Sequence, residues 1–79
     1  MLAEALEHLV RGIVGHPDDV QVTAKSLRRG ELLEVRVHPE DLGRVIGRAG
    51  RTARALRTVV GALSKDGPVR IDVVDVDRR

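Results

Sequence analysis

Among 79 residues there is no phenylalanine, tyrosine or tryptophan, and no cysteine. The missing aromatics exclude the most. Many proteins that hold single-stranded nucleic acid stack its bases on rings, gaining about 1–3 kcal/mol per base, and RNA recognition motifs and most OB-folds depend on it. This composition is unsuited to either, so any base held here must lie on aliphatic side chains. The lack of cysteine rules out disulfides and zinc–thiolate sites. No apolar run approaches the ~20 residues that a membrane-spanning helix needs. Met1-Leu2-Ala3-Glu4 also lacks the basic-then-apolar layout of a secretory leader, so a cytoplasmic location is expected. Three histidines remain, His8, His16 and His38, and the last two precede prolines. Their spacing does not suggest a metal site, and they are expected to be solvated or capping groups with no metal or cofactor.

What is present is polarised. The net charge of +2 conceals a stretch from Leu42 to Lys65 with six basic residues and no acid, while the remainder carries eight basic residues against all twelve acids. At the centre of that stretch stands Val45-Ile46-Gly47-Arg48-Ala49-Gly50-Arg51. Two glycines between two helix-patterned segments give backbone freedom and leave no Cβ to block a ligand. The helix expected after Gly50 aims its first N–H groups and its positive dipole end back at the elbow. Arg44, Arg48, Arg51, Arg54 and Arg57 surround it. Such an arrangement suits a phosphate backbone.

The rest of the chain is legible as a single small domain over residues 1–79, at 42% hydrophobic and 33% charged residues neither disordered nor membranous in composition. Leu2, Leu6, Leu9, Val10 and Ile13 recur at helical spacing, predicting a helix over about residues 2 to 14. Val20, Val22 and Ala24, then Leu33, Val35 and Val37, alternate as two strands, with Arg28-Arg29-Gly30 as the turn between them. His38-Pro39-Glu40-Asp41 has proline and acids where a helix begins, and a short helix is expected to reach Ile46. A longer helix from about Arg51 to Lys65 is expected to bury Leu56, Val59, Val60 and Leu63. Asp66-Gly67-Pro68 ends it, Val69 to Val73 alternates as a third strand, and Asp75 to Arg79 is expected to fray. The order helix, strand, strand, helix, helix, strand predicts an α+β fold in which three helices cover one face of a three-stranded mixed sheet, the third strand parallel to the second.

The elbow does not match the alternatives. It lacks the Gly-x-Gly-x-x-Gly of dinucleotide folds and the lysine-bearing loop of nucleotide triphosphatases, and it joins helix to helix. The nearby hydroxyls, Thr52 and Thr58, have no local histidine or acid to activate them, so no enzymatic activity is expected.

Helix, Val-Ile-Gly-x-x-Gly, helix resembles the KH domain, and the six-element order resembles its type II form. Gly47-Arg48-Ala49-Gly50 falls on the GXXG loop, which in KH domains clamps about four nucleotides. Closer still is a similarity to the small stand-alone bacterial KH proteins of the KhpA (YlqC) family. It rests on His16-Pro17-Asp18-Asp19-Val20, on the run from Pro39 to Thr52, and on Ala55-Leu56-Arg57-Thr58. It extends over essentially the whole chain. One departure is Ala53, where the KH pattern carries a large aliphatic, implying a shallower groove or packing shifted onto Leu56.

The resemblance implies sequence-tolerant binding of single-stranded RNA. The N–H groups of the elbow, with Arg48, Arg51, Arg44 and Arg54, would meet phosphates, and bases would lie on Val45, Ile46 and third-strand aliphatics such as Ile71. It also implies pairing, either as a homodimer or with a larger KH-containing protein of the Jag/EloR type, in RNA chaperoning and the control of cell elongation and wall synthesis. Association with ribosomes is a further implication.

Overall fold

The apolar positions of the first helix form a stripe, and in a computed structural model, which describes residues 2–64 and 67–74, that stripe faces a sheet. Helix α1 spans Leu2–Arg11 and buries Leu6 and Val10. It ends earlier than its periodicity suggests, at Gly12, and Ile13 stays exposed. A 3-10 turn at Pro17–Asp19 leads to strand β1, Gln21–Ser26, which pairs antiparallel with β2, Glu31–Arg36. The hairpin closes at Gly30, whose φ of 95° suits glycine. A side chain there would collide with the Pro68 carbonyl, the same oxygen that accepts from the Glu31 N–H at 3.0 Å. The hairpin is thereby seated on the connection that follows the last helix.

A second 3-10 turn, Pro39–Asp41, leads into α2, Leu42–Ile46; a third, Arg48–Gly50, leads into α3, Arg51–Leu63. Strand β3, Val69–Val74, then pairs parallel with β2, giving the order β1-β2-β3 and the expected α+β architecture. The register aligns Val22, Val35 and Val73 in one row and Leu33 with Ile71 in the next. These rows meet the helices: α1 packs on β1 and α3, while α2 and α3 both touch β3. Leu6, Val10, Leu33, Val35, Val45 and Val60 are fully buried, each contributing about 1.5–3 kcal/mol. On the opposite face Lys25 Nζ meets Glu34 Oε1 at 2.9 Å, as alternation predicts.

The expected burial of α3 needs correction. Leu56 and Val60 are buried, but Val59 and Leu63 are 47% and 54% exposed. At 100° per residue the core-facing line runs through Ala53, Leu56 and Val60, and Val59 and Leu63 fall on its flank. The helix is also capped at Ser64, whose hydroxyl donates to the Gly67 carbonyl at 2.7 Å. Expectations for Lys65, Asp66 and the terminal Asp75 to Arg79 lie outside the described residues.

Candidate nucleic-acid interface

The elbow is built from three departures to positive φ, at Gly47, Ala49 and Gly50. Gly47 has φ 76° and ψ 170°, a region essentially confined to glycine, while its N–H closes α2 onto the Gly43 carbonyl at 2.8 Å. A Cβ on Gly47 would collide with the Thr52 hydroxyl and lie 2.8 Å from the Thr52 backbone nitrogen. Ala49 is left-handed at φ 56° and ψ 26°, a strained setting for a residue with a Cβ. Gly50 is left-handed at φ 75° and ψ 14°, and nothing lies within 4 Å of the place its Cβ would take. Gly47 is thus packed inward, and Gly50 presents bare backbone outward.

This path decides which donors are free. The Gly50 N–H reaches the Gly47 carbonyl at 3.1 Å and the Arg51 N–H reaches that of Arg48. Among the described residues the Arg48 and Ala49 N–H groups have no acceptor. Behind them α3 starts at Arg51 with no side-chain cap and no acid in its first turn. Its positive end is therefore uncompensated.

Arg44, Arg48, Arg51, Arg54 and Arg57 are all exposed, and among the described residues none has a carboxylate within ion-pair distance. They do not form one cluster. Arg44 turns away from the elbow, its Nη1 lying 3.5 Å from where a Gly15 Cβ would stand. Arg51, Arg54 and Arg57 descend one side of α3, and Arg57 shares a shallow pocket with Val69, Arg70 and Ile71 on β3. Arg57, the last of the row, thus lies beside β3, an edge strand of the sheet. Val59 lies on the other flank of α3, across the Leu56–Val60 line.

The apolar floor is narrower than expected. Val45 is fully buried and offers a ligand no surface, because it packs under α2 in the core. Ile46, one residue on, is 42% exposed beside the elbow. Ile71 is mostly covered at 9%, and Ala53 is half-buried, with Leu56 filling the core beside it. Arg28 and Arg29 sit in the hairpin held by Pro68, beyond the far end of the 13-residue α3. That helix is about 20 Å long, so the hairpin arginines lie well away from the elbow.

Sequence spacing missed a second cluster. His16-Pro17-Asp18-Asp19 and His38-Pro39-Glu40-Asp41 share one pattern, each a histidine before a 3-10 turn that begins with proline, and the fold brings them together. The His16 and His38 rings stack with centroids 3.9 Å apart. Asp41, only 2% exposed, accepts from the N–H groups of Gly15 and His16 and meets His16 Nδ1, all at 3.0 Å. Burial pushes its carboxyl pKa upward, but the Gly15 and His16 hydrogen bonds and the His16 ring outweigh this and hold it below the ordinary value. The near-repeat of the two tetrapeptides was the available signal.

A helix-strand-strand-helix-helix-strand chain whose two later helices join through this glycine elbow is a KH domain of type II order. The family comparison agrees: the family described as KhpA/KhpB, KH domain, matches residues 3–75, and the chain belongs to that family. It is 74% identical to "RNA-binding protein KhpA" of Streptomyces coelicolor over 98% of this chain and 96% of that protein. It is 58% identical to the protein of the same name from Mycobacterium bovis over 99% and 96%. It is 44% identical to that of Halalkalibacterium halodurans over 89% and 95%. No solved structure is significantly similar to the chain. Among the described residues, no helix is long and apolar enough to cross a membrane.

Proposed function

We propose that this chain binds single-stranded RNA, with the elbow holding the sugar-phosphate backbone. The observation that carries the reading is the pair of free N–H groups at Arg48 and Ala49 next to the bare Gly50, at the uncompensated start of α3. Arg48 and Arg51 flank that point, Arg54 and Arg57 continue it toward β3, and Ile46 supplies the exposed aliphatic surface for a base. Arg44 reaches phosphate only after turning from Gly15. The relatives' name, RNA-binding protein KhpA, supports the same ligand. With few bases held on rings or by side-chain amides, binding is tolerant of sequence. The protein acts in the cytoplasm as an RNA chaperone or post-transcriptional regulator rather than as an enzyme.

The test replaces Arg48 and Ala49 with aspartate. Aspartate tolerates the left-handed conformation of position 49 better than most residues, so the fold is expected to persist. Circular dichroism should match the parent, and fluorescence anisotropy with a labelled oligoribonucleotide should show binding abolished. Parent-strength binding by a folded R48D/A49D variant would refute the assignment.

A second reading, an interaction module, is favoured by the exposed Val59 and Leu63. One turn apart on α3, they lie on the flank away from Arg57, so a partner there leaves the arginine row open. A second copy, or a larger KH protein of the Jag/EloR type in control of cell elongation and wall synthesis, is the proposed occupant. Joining two weak sites raises avidity through effective concentration.

A further inference from the structure

The paired tetrapeptides gather three metal-ligating side chains away from the elbow. His16, His38 and Glu40 each offer a ligand atom, and these atoms lie within 4.8 Å of one another. We propose that they form a site for a divalent cation of the zinc class, with solvent completing its coordination.

The donor set and its support fit such an ion. Because Asp41 engages His16 Nδ1, that nitrogen carries the ring proton in the neutral form and Nε2 is left as a lone-pair donor. A buried carboxylate orienting a histidine in this way is the usual backing of a zinc-bound imidazole. His16 Nε2 lies 3.6 Å from Glu40 Oε1, and His38 Nδ1 lies 3.8 Å from the same oxygen. Neighbouring ligands on a tetrahedral zinc with bonds near 2.0–2.1 Å stand about 3.3 Å apart, so each histidine must approach Glu40 by only a few tenths of an ångström, and the two histidine nitrogens, within 4.8 Å of each other, must draw together as well.

The stacked rings, inclined by 13°, keep their in-plane lone pairs in nearly parallel planes, so these do not meet at one point. Coordination therefore requires one ring to turn. His38 is the freer: its Nδ1 is engaged only by the Glu40 N–H at 3.1 Å, in an exposed position, while His16 is fixed by Asp41.

Charge favours a cation. Neither tetrapeptide holds a basic residue, and Asp18 and Asp19 line a pocket beside His38. Arg36 lines that same pocket and Arg44 Nη1 approaches Gly15, but the four acids Asp18, Asp19, Glu40 and Asp41 outnumber these two cations. The same field disfavours RNA, so the ring pair is a poor platform for a base. A bound ion would tie the segment before β1 to the start of α2.

Zinc chloride titrated into the full-length chain, followed by NMR, tests this. Saturable shifts are expected in the ring signals of His16 and His38, with those of exposed His8 unmoved, and the thermal midpoint should rise with the logarithm of zinc concentration. H38Q, at a half-buried position, and E40Q, at an exposed one, should each weaken binding tenfold or more, with circular dichroism showing that the variant is folded. The proposal is overturned by any of three results: no saturable shift at hundreds of micromolar zinc, equal response of His8, or undiminished affinity in folded H38Q or E40Q. Ring shifts caused by an oligoribonucleotide and not by zinc would also overturn it.

Discussion

The two elbow glycines carry different burdens, and alanine at each should separate them. At Gly50 the cost is conformational: a Cβ in the left-handed region costs about 1–2 kcal/mol, and the surrounding space is open. Alanine also restricts the unfolded chain, returning about 0.4–1 kcal/mol, so G50A should cost about 1 kcal/mol net. Gly47 sits where only glycine is at ease, at roughly 1–3 kcal/mol for other residues. Its Cβ would also face the Thr52 nitrogen at 2.8 Å, which is backbone and cannot rotate away. A total of about 2–4 kcal/mol follows once α3 shifts to make room. For a domain of this size 1 kcal/mol moves the midpoint by about 4–8 °C. Thermal unfolding followed by circular dichroism should therefore place G50A several degrees below the parent and G47A ten or more. Removing the Thr52 side chain as well, in G47A/T52A, should recover only part of the loss. Equal midpoints for G47A and G50A, or full recovery in the double variant, would refute the role given to the Thr52 backbone.

Three further outcomes are expected. If three or four phosphates are neutralised, log affinity for an oligoribonucleotide should fall against log salt with a slope of about −2 to −3; a slope near zero in anisotropy titrations would remove the arginines from the contact. V59D/L63D should leave RNA affinity per site unchanged but reduce self-association or partner capture in analytical ultracentrifugation, and an unchanged distribution of species would dismiss that flank. Asp41 is held below its ordinary pKa in the folded state, so its contribution is present at neutral pH and is lost as pH falls below about 3.8. D41A should unfold at lower temperature than the parent at pH 7, with the two midpoints converging in acid.

Much of this architecture could be read from periodicity, because strands that alternate and helices with one apolar stripe state their burial directly. The failures have a common cause. Val59 and Leu63 look like core by composition, but α3 packs on β3 and α1 along the narrower line of Leu56 and Val60, and that line is a tertiary property. Val45 and Ile46 are indistinguishable by chemistry, and a rotation of 100° buries one and exposes the other. The glycine elbow was visible, yet nothing in its four letters shows that Gly47 packs inward while Gly50 opens outward. The His16–His38 stack joins residues far apart in the chain, so its one sign in the sequence was the near-repeat of the two tetrapeptides, and Asp41 looked like a helix-start acid rather than the anchor of a distant connection.

Among the described residues, none of the five guanidinium groups of the segment from Arg44 to Arg57 pairs with a carboxylate. In the proposed function, folding and gripping thus fall to separate residues: the hydrocarbon interior and the Asp41 tether shape the scaffold, and the cationic fringe uses it. If the proposed function holds, exchanging single arginines would raise or lower the hold on a transcript without reopening the question of whether the protein folds.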